Sequence, residues 1–388
     1  MEVSVQELEK WEQGSYRLID MRSAESLNYG TIPGAEHIEA ERLCVDPPEN
    51  DGRRLVLVCA RGQFSLDAAE ALEALGYEAY SLAGGYLAWL RRQMERQNAD
   101  ELCSRVETSL RKRFREKIWC NFTKAVRQYE LVQPGDRIAV CISGGKDSML
   151  MAKLLQLLQR HSDVPFEVVD LVMDPGYNAV NRQKIEQNAA LLHIPITVFS
   201  SDIFEVTSSV GQSPCYLCAR MRRGYLYSKA RELGCNKIAL GHHFSDVVET
   251  TVMGMFYGSQ LQAMPPKLRS RNFPGMELIR PMYCIHEDDI IAWQRYNGLE
   301  FIQCACRFTE RAAAHGNDGS SSKRQEVKLL LRELRRTNPD IEKSIFHSIH
   351  SVCLDTMVGY KSGGVEHTFA DCYRERGEMA ELAKEDAE

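Results

Sequence analysis

Between residues 137 and 282, short apolar runs alternate with longer helix-patterned ones, and this alternation restricts the chain more than any other feature. "RIAVCIS" precedes "DSMLMAKLLQLLQRH", "FEVVDLVMD" precedes "NRQKIEQNAALLHI", and "PITVFSSD" comes before "ARMRRGYLYSKARELG". "KIALGHH" then leads into "SDVVETTVMGMFYG", and "ELIRPM" is one more short run. A strand that returns to its sheet through a helix pairs in parallel, and the crossover helices cover the sheet's faces. The expected fold is therefore α/β, with a doubly wound parallel sheet and function at the carboxyl ends of its strands.

Other stretches flank that core. Residues 1–95 hold "YRLIDMRS" and "RLVLVCARG", strand-like runs that end in turn residues, with the amphipathic "SLDAAEALEALGY" before "AYSLAGG". Residues 96–125 are polar, charged and helical in period, as a helical connector would be. A second domain is expected over 126–355, helical from 324 to 355, with 356–388 as a solvated C-terminal tail. For 388 residues, two domains are the natural division. No apolar run reaches membrane-spanning length, and "MEVSVQELEK" is unlike a secretory signal, so a cytoplasmic protein without a membrane partner is expected. Thirteen cysteines in such a chain point to metal or sulfur chemistry rather than a disulfide framework. The net charge of −6 gives no global attraction for nucleic acid, so any polyanion must bind through a local basic patch.

"SGGKDS", residues 143–148, lies between a strand-like and a helix-like run, where backbone N–H groups and a helix N-terminus favour anions. Gly144 and Gly145 let the backbone approach a phosphate, Ser143 and Ser148 offer hydroxyls, and Lys146 brings charge beside Asp147. The spacing is not G-x-x-x-x-G-K-[ST], which disfavours a Walker-type ATPase. The segment resembles the PP-loop of the ATP pyrophosphatase superfamily. That resemblance implies ATP cleavage between the α and β phosphates, with an acceptor oxygen adenylated so that nitrogen or sulfur can displace it. Asp174, ending the second strand, either meets the nucleotide or only opens the "DPGY" turn.

Cys215 and Cys218 form a C-x-x-C in "SPCYLCARMRRGYLYSKARELG", and Cys304 and Cys306 follow in "FIQCACRFTER". Such spacing suits a metal site, with a four-cysteine zinc and a redox dithiol as alternatives. "LRKRFREK", "DRIAVCISGGKDS", "CYLCARMRRGYLY", "KIALGHHFSDVVETTVMGMFYGSQLQAMPPKL" and "LIRPM" together resemble the tRNA 2-thiocytidine synthetase family over roughly 105–350. The resemblance implies adenylation of the 2-oxo group of an anticodon-loop cytidine and its replacement by sulfur. It also implies ATP, Mg2+ and a [4Fe-4S] cluster held by three cysteines, with one iron open to sulfide. By position, Cys215 and Cys218 are the paired ligands. The third is Cys306, with Cys304 as the rival, because C-x-C followed by Arg307 stands where the family has C-x-x-C and glycine. "GHHFSDVVET" carries Gly241, His242, His243, Asp246 and Glu249 to a strand end, where Gly241 and His242 would meet the nucleotide. There Asp246 fits a magnesium or proton-handling role, while the histidines are either functional or packing residues. Basic clusters at Arg111, Lys112, Arg113, Arg115 and Lys117, at Arg220, Arg222 and Arg223, and at Lys267, Arg269 and Arg271 offer a track for tRNA phosphates.

The N-terminal "LIDMRSAESLNYGTIPGAEHI", "LVLVCARGQFSLDAAEALEALGY" and "LAGGYLAWL" resemble a rhodanese domain along its whole length. Cys59 would carry a persulfide in a loop whose N–H groups, Arg61 to Ser65, lower the thiol pKa. Asp20 and Arg22 match the family's D-x-R, and Gly34 its P-G-A turn. Phe64 replaces the arginine often found before the loop serine, which leaves donor preference and an inactive docking role open. The reading is a rhodanese fused to a tRNA thiolase, fed by thiosulfate or a cysteine desulfurase, with a homodimer left open. Its rivals are thiolation of another base such as uridine, a zinc-dependent PP-loop enzyme with another acceptor, and a non-catalytic sulfur-relay or docking protein.

Overall fold

The computed structural model describes residues 1–201, 214–302 and 323–374. The chain divides into two compact units, Met1–Val106 and Glu107–Glu388.

In the first unit five parallel strands form one sheet in the order Glu2–Val3, Ala79–Leu82, Arg54–Val58, Tyr16–Asp20, Glu36–His37. The central strand, RLVLV, is apolar on both faces and buried from Leu55 to Val58, as a strand covered on both sides requires. Ile19, Leu57, Ala69 and Leu72 pack on one side, and Val3, Val56, Val58 and Leu82 on the other. The carboxyl end of this strand delivers Cys59, and helix Gln63–Ala74 follows at once.

In the second unit the sheet order is Lys267–Arg269, Glu277–Ile279, Lys237–Ala239, Arg137–Ile142, Glu167–Asp174, Ile196–Ser200. The strands pair in parallel, except that edge strand Lys267–Arg269 runs antiparallel to Glu277–Ile279. Strand Arg137–Ile142 is first in the chain and central in the sheet, with the next strand on one side and Lys237–Ala239 on the other. Strand order reverses there, so a crevice opens beyond its carboxyl end. At the opposite end Lys237 Nζ donates to Asp136 Oδ2 at 2.6 Å and to the Leu131 carbonyl at 3.0 Å, a buried pair that ties two strand starts together. Removing one partner of such a pair costs about 3–5 kcal/mol, because the other charge stays buried.

Three local features depart from the regular pattern, and two of them have simple causes. Helix Gly85–Arg111 is continuous and is followed by a π-helical stretch, Arg115–Cys120, and helix Asn121–Gln128. The helical region after 322 is two helices, Lys323–Thr337 and Ile341–Ser348, because Pro339 has no N–H to continue the first. Within the expected tail, Tyr360–Ser362 and Val365–His367 pair as a hairpin, with Gly363 and Gly364 at φ +59° and +86°. Both central positions of that two-residue turn need positive φ, and Gly-Gly supplies it. Among the described residues no helix is long and apolar enough to cross a membrane.

Candidate active site

The loop after strand Arg137–Ile142 turns sharply. Gly144 sits at φ +83°, and a Cβ there would stand 2.5 Å from Ile185 Cγ1 and 2.7 Å from Ile302 Cδ1. Glycine is therefore required both by backbone conformation and by space. Ser148 Oγ closes the turn, accepting from Ser143 N at 3.1 Å and donating to the Gly145 carbonyl at 3.0 Å. Gly145 is the N-cap of helix Lys146–His161, so the helix N-terminus faces the crevice. Gly241 backs onto this turn, where a Cβ would be 3.3 Å from Ser148 N.

A cavity of about 400 Å³ opens here, within the size range of small-ligand sites. Its lining includes Ser143, Asp147, Ser148, Gly241, His242 and Asp246, together with Arg222 and Arg223 from helix Pro214–Glu232. The cradle, the helix N-terminus and the arginines suit a nucleotide phosphate chain. His242 is pushed down to about 4, chiefly by burial and with help from Arg280 and Arg324, so it is neutral near pH 7. Its Nδ1 is buried without a hydrogen-bond partner. His243 has a different task. It caps helix Phe244–Gly258, its Nδ1 accepting from Asp246 N at 3.4 Å while Asp246 Oδ2 accepts from its N–H at 3.0 Å.

Lys146 donates to Asp147 at 3.1 Å and to Glu287 at 3.2 Å. Burial pulls its pKa down, but these carboxylates outweigh the loss and leave it raised. Asp246 Oδ1 and Glu249 each accept from Arg324 at 2.7 Å. Asp174 does not line the cavity. One of its oxygens accepts from the Gly176 and Tyr177 N–H groups at 2.8 and 2.7 Å, and the other from Arg182 at 3.1 Å. Both oxygens thus serve the turn and the helix that follows it.

The structure brings Ser143, Gly144, Gly145, Lys146, Asp147, Ser148, Gly241, His242 and Asp246 together around the loop. Glu287, Arg324 and Lys328 complete that group, yet they lie in ordinary amphipathic helices with no motif of their own. Cys215 and Cys218 belong to helix Pro214–Glu232, three residues apart, and their side chains lie outside the described residues, as does that of Arg220. Cys304 and Cys306 also lie outside the described residues. Among the described residues no group of three or more His, Cys, Asp and Glu is arranged to hold a metal ion. Of the basic clusters, Arg111, Lys112 and Arg115 are exposed, Arg113 lies over the Tyr296 ring at 4.7 Å, and Lys117 pairs with Asp289 at 3.1 Å. Lys267 pairs with Glu277 at 3.1 Å, while Arg269 and Arg271 are exposed.

In the first unit Cys59 is 6% exposed and ringed by donors. Gly62 N lies 3.0 Å from its Sγ and Ser65 Oγ 3.2 Å, and Ser81 holds Ser65 at 2.9 Å. Burial raises the thiol pKa, but the Ser65 hydroxyl and the N–H groups of Ser65, Arg61 and Gly62 outweigh it, and the net displacement is downward. Gly85, at φ +60°, closes the loop, since a Cβ there would sit 2.2 Å from the Cys59 carbonyl. Asp20 and Arg22 form a buried pair at 2.6 Å, with Arg22 stacked 3.7 Å above the Tyr86 ring. Gly34 takes φ +82°, and Phe64 is exposed. Alkylation of Cys59, followed by peptide mass spectrometry against pH, should have its midpoint below the ordinary 9.0 of a cysteine thiol. Ser65→Ala should move it upward, and an unmoved midpoint would show that the hydroxyl does not stabilise the thiolate. Because the folded pKa is depressed, the linked gain in folding stability is full above pH 9.0 and is lost as pH falls through the folded value.

A PP-loop domain model matches residues 114–307, and a rhodanese-like domain model matches residues 4–92. With the cradle and the cysteine loop, these define the class, a PP-loop protein carrying an N-terminal rhodanese-like domain. The chain is 35% identical over 245 residues to the tRNA-cytidine(32) 2-sulfurtransferase of Geobacter metallireducens, covering 62% of this chain and 91% of that one. It is 34% identical over 253 residues to the protein of the same name in Vibrio parahaemolyticus, covering 64% and 82%. The chain belongs to the tRNA-cytidine(32) 2-sulfurtransferase family. Among solved structures it is similar to the U34-tRNA thiolase of Methanococcus maripaludis with its [4Fe-4S] cluster, at 20% identity and a TM-score of 0.48, covering 64% of this chain and 83% of that one.

Proposed function

We propose that this protein is an ATP-dependent tRNA sulfurtransferase that replaces the 2-oxo group of an anticodon-loop cytidine with sulfur. The observation that carries the reading is a PP-loop cradle and cavity in a chain that matches nine-tenths of a named tRNA-cytidine(32) 2-sulfurtransferase. The 2-oxo oxygen attacks the α-phosphorus of ATP, the α–β bridging bond breaks and pyrophosphate leaves. A sulfur nucleophile then attacks C2, and AMP departs with the oxygen. Ser143, Gly144, Gly145, Ser148 and Gly241 shape the phosphate cradle, and Lys146 offsets the charge that develops on pyrophosphate. The neutral His242 offers a hydrogen bond toward the nucleotide. Asp147 and Asp246 are the carboxylates available to a Mg2+ ion arriving with ATP. Asp174 acts by fixing the turn that carries Tyr177 into the cavity wall. Arg222 and Arg223 at the cavity and the exposed cations near Arg111 and Arg271 attract tRNA phosphates.

The Cys59 thiolate attacks the outer sulfur of thiosulfate, releasing sulfite, or that of a cysteine desulfurase persulfide, releasing the donor's cysteine thiolate, and so becomes a persulfide. It passes the outer sulfur on, with two electrons from a thiol reductant bringing that sulfur to the sulfide level. Cys215, Cys218 and Cys306 (with Cys304 as the rival) would hold a [4Fe-4S] cluster, a reading supported by their spacing and the family pattern. The cluster would supply an iron site for sulfur. The functional division follows the four ranges 1–95, 96–125, 126–355 and 356–388, in a cytoplasmic protein. Anaerobically purified protein should be brown and contain iron and acid-labile sulfide. Alanine at Cys215, Cys218 or Cys306 should remove both. Stoichiometric zinc without iron after reconstitution would reject the cluster, and loss with Cys304→Ala but not Cys306→Ala would move the third ligand.

A further inference from the structure

Beside the nucleotide cavity lies a second, polar one of about 250 Å³, and Asp147 and Asp246 line both. Its walls carry four carboxylates, on Asp147, Asp246, Glu249 and Glu287, and two cations, on Arg324 and Lys328. Both cations come from helix Lys323–Thr337, one turn apart and on one face. Val327 and Leu331 of the same helix are buried against Val247, Val248 and Val252, and Tyr257 donates to Glu326 at 2.8 Å. The helix is thus fixed, and its cations reach the loop by construction.

The sharing of partners is informative. Glu287 lies between the loop lysine and this helix, with one oxygen accepting from Lys146 at 3.2 Å and the other from Lys328 at 2.5 Å. Burial pushes Glu287 up, yet Lys328 and Lys146 outweigh it and hold it at about 2. Arg324 is held in the same manner by Asp246 and Glu249. Counting Lys146, three cations face four carboxylates, and Asp147 Oδ1 is buried with no hydrogen bond, His243 Nε2 being 3.8 Å away. A site with surplus carboxylate and cations already paired holds an anion poorly on its own. A polyphosphate that brings a divalent ion supplies both missing charges, since the metal satisfies carboxylate while the released cations turn to phosphate oxygens.

We infer that Arg324 and Lys328 are pyrophosphate-binding residues, masked by Asp246, Glu249 and Glu287 until a metal–polyphosphate enters beside Lys146. This rests on the reading of the loop as an ATP site and adds two phosphate ligands from outside it. Their place is the leaving-group end, where negative charge grows as the α–β bond breaks. They also make the site prefer ATP and pyrophosphate over AMP, which ends at the α-phosphate.

Calorimetric titration of the full-length protein with inorganic pyrophosphate, ATP and AMP, each with Mg2+, tests this without tRNA. Lys328→Gln and Arg324→Gln should each weaken pyrophosphate and ATP by about tenfold, as loss of one charge-assisted hydrogen bond does, with AMP unchanged. Glu287→Gln has the opposite sign and should tighten pyrophosphate, because Lys146 and Lys328 lose a competitor. Unchanged pyrophosphate affinity in both cation variants, equal losses for AMP and pyrophosphate, or weaker pyrophosphate binding by Glu287→Gln would each overturn the assignment in favour of a purely structural ion-pair network. If the wild-type protein binds no ATP, the ATP-site reading itself fails. If it binds ATP and the variants behave as wild type, only the present inference does.

Discussion

Lys146→Ala should lower tRNA-dependent release of AMP and pyrophosphate by about 10²–10³-fold, the usual loss when one preorganised group is removed from developing charge. tRNA binding should survive, because phosphate contacts generally supply most of such affinity and the basic residues proposed for them lie elsewhere. Lys146 is held between Asp147 and Glu287 at the start of the loop helix, so its removal deletes charge at the leaving group without opening the cradle built by Gly144 and Ser148. The loss should therefore fall on kcat more than on the KM for tRNA. Quench-flow separation of labelled AMP, ADP and pyrophosphate reads it directly. ADP and orthophosphate as the products, in wild type or variant, would reject adenylation.

Local physical signals are the ones legible in this sequence. The strand–helix alternation and the glycine-lysine loop were legible because each rests on neighbouring residues, and the structure has the parallel sheet with the loop at its order reversal. The antiparallel edge Lys267–Arg269 was not, since three residues with two cations carry no strand periodicity. The hairpin at Gly363-Gly364 has a local signal, the Gly-Gly turn, but its three-residue strands lie in a polar tail without apolar alternation. Among the candidate site residues, Ser143 to Ser148 share one local motif, whereas Arg324 and Lys328 reach the site only through tertiary packing of Val327 and Leu331, and Glu287 comes from the separate helix Glu287–Asn297. The His242–His243 pair separated once the helix start was seen, one ring lining the cavity and the other capping the helix. Asp174 illustrates the converse, a strand-end carboxylate whose oxygens are both used by the adjoining turn and Arg182.

Cys59→Ser should leave ATP binding unchanged and reduce thiolation from thiosulfate or a cysteine desulfurase by about 100-fold or more, the lower range of the gain from tethering a donor in the same chain. The physical basis is the donor ring around Sγ. Gly62 N and Ser65 Oγ stabilise a thiolate and equally an anionic persulfide, and serine cannot carry sulfur. Excess inorganic sulfide should restore the variant, since it bypasses the carrier. Wild-type rates in Cys59→Ser with every persulfide donor would make the N-terminal unit a docking module.

If the proposed function holds, this chain uses ATP to place sulfur on a tRNA cytidine. The most direct test is mass spectrometry of nucleosides from tRNA incubated with the full-length protein, ATP, Mg2+ and a sulfur source under anaerobic conditions. The expected product is 2-thiocytidine, formed only with ATP and reduced about 10²–10³-fold with Lys146→Ala. Appearance of 2-thiouridine alone, or of no thiolated nucleoside while AMP and pyrophosphate accumulate, would contradict it.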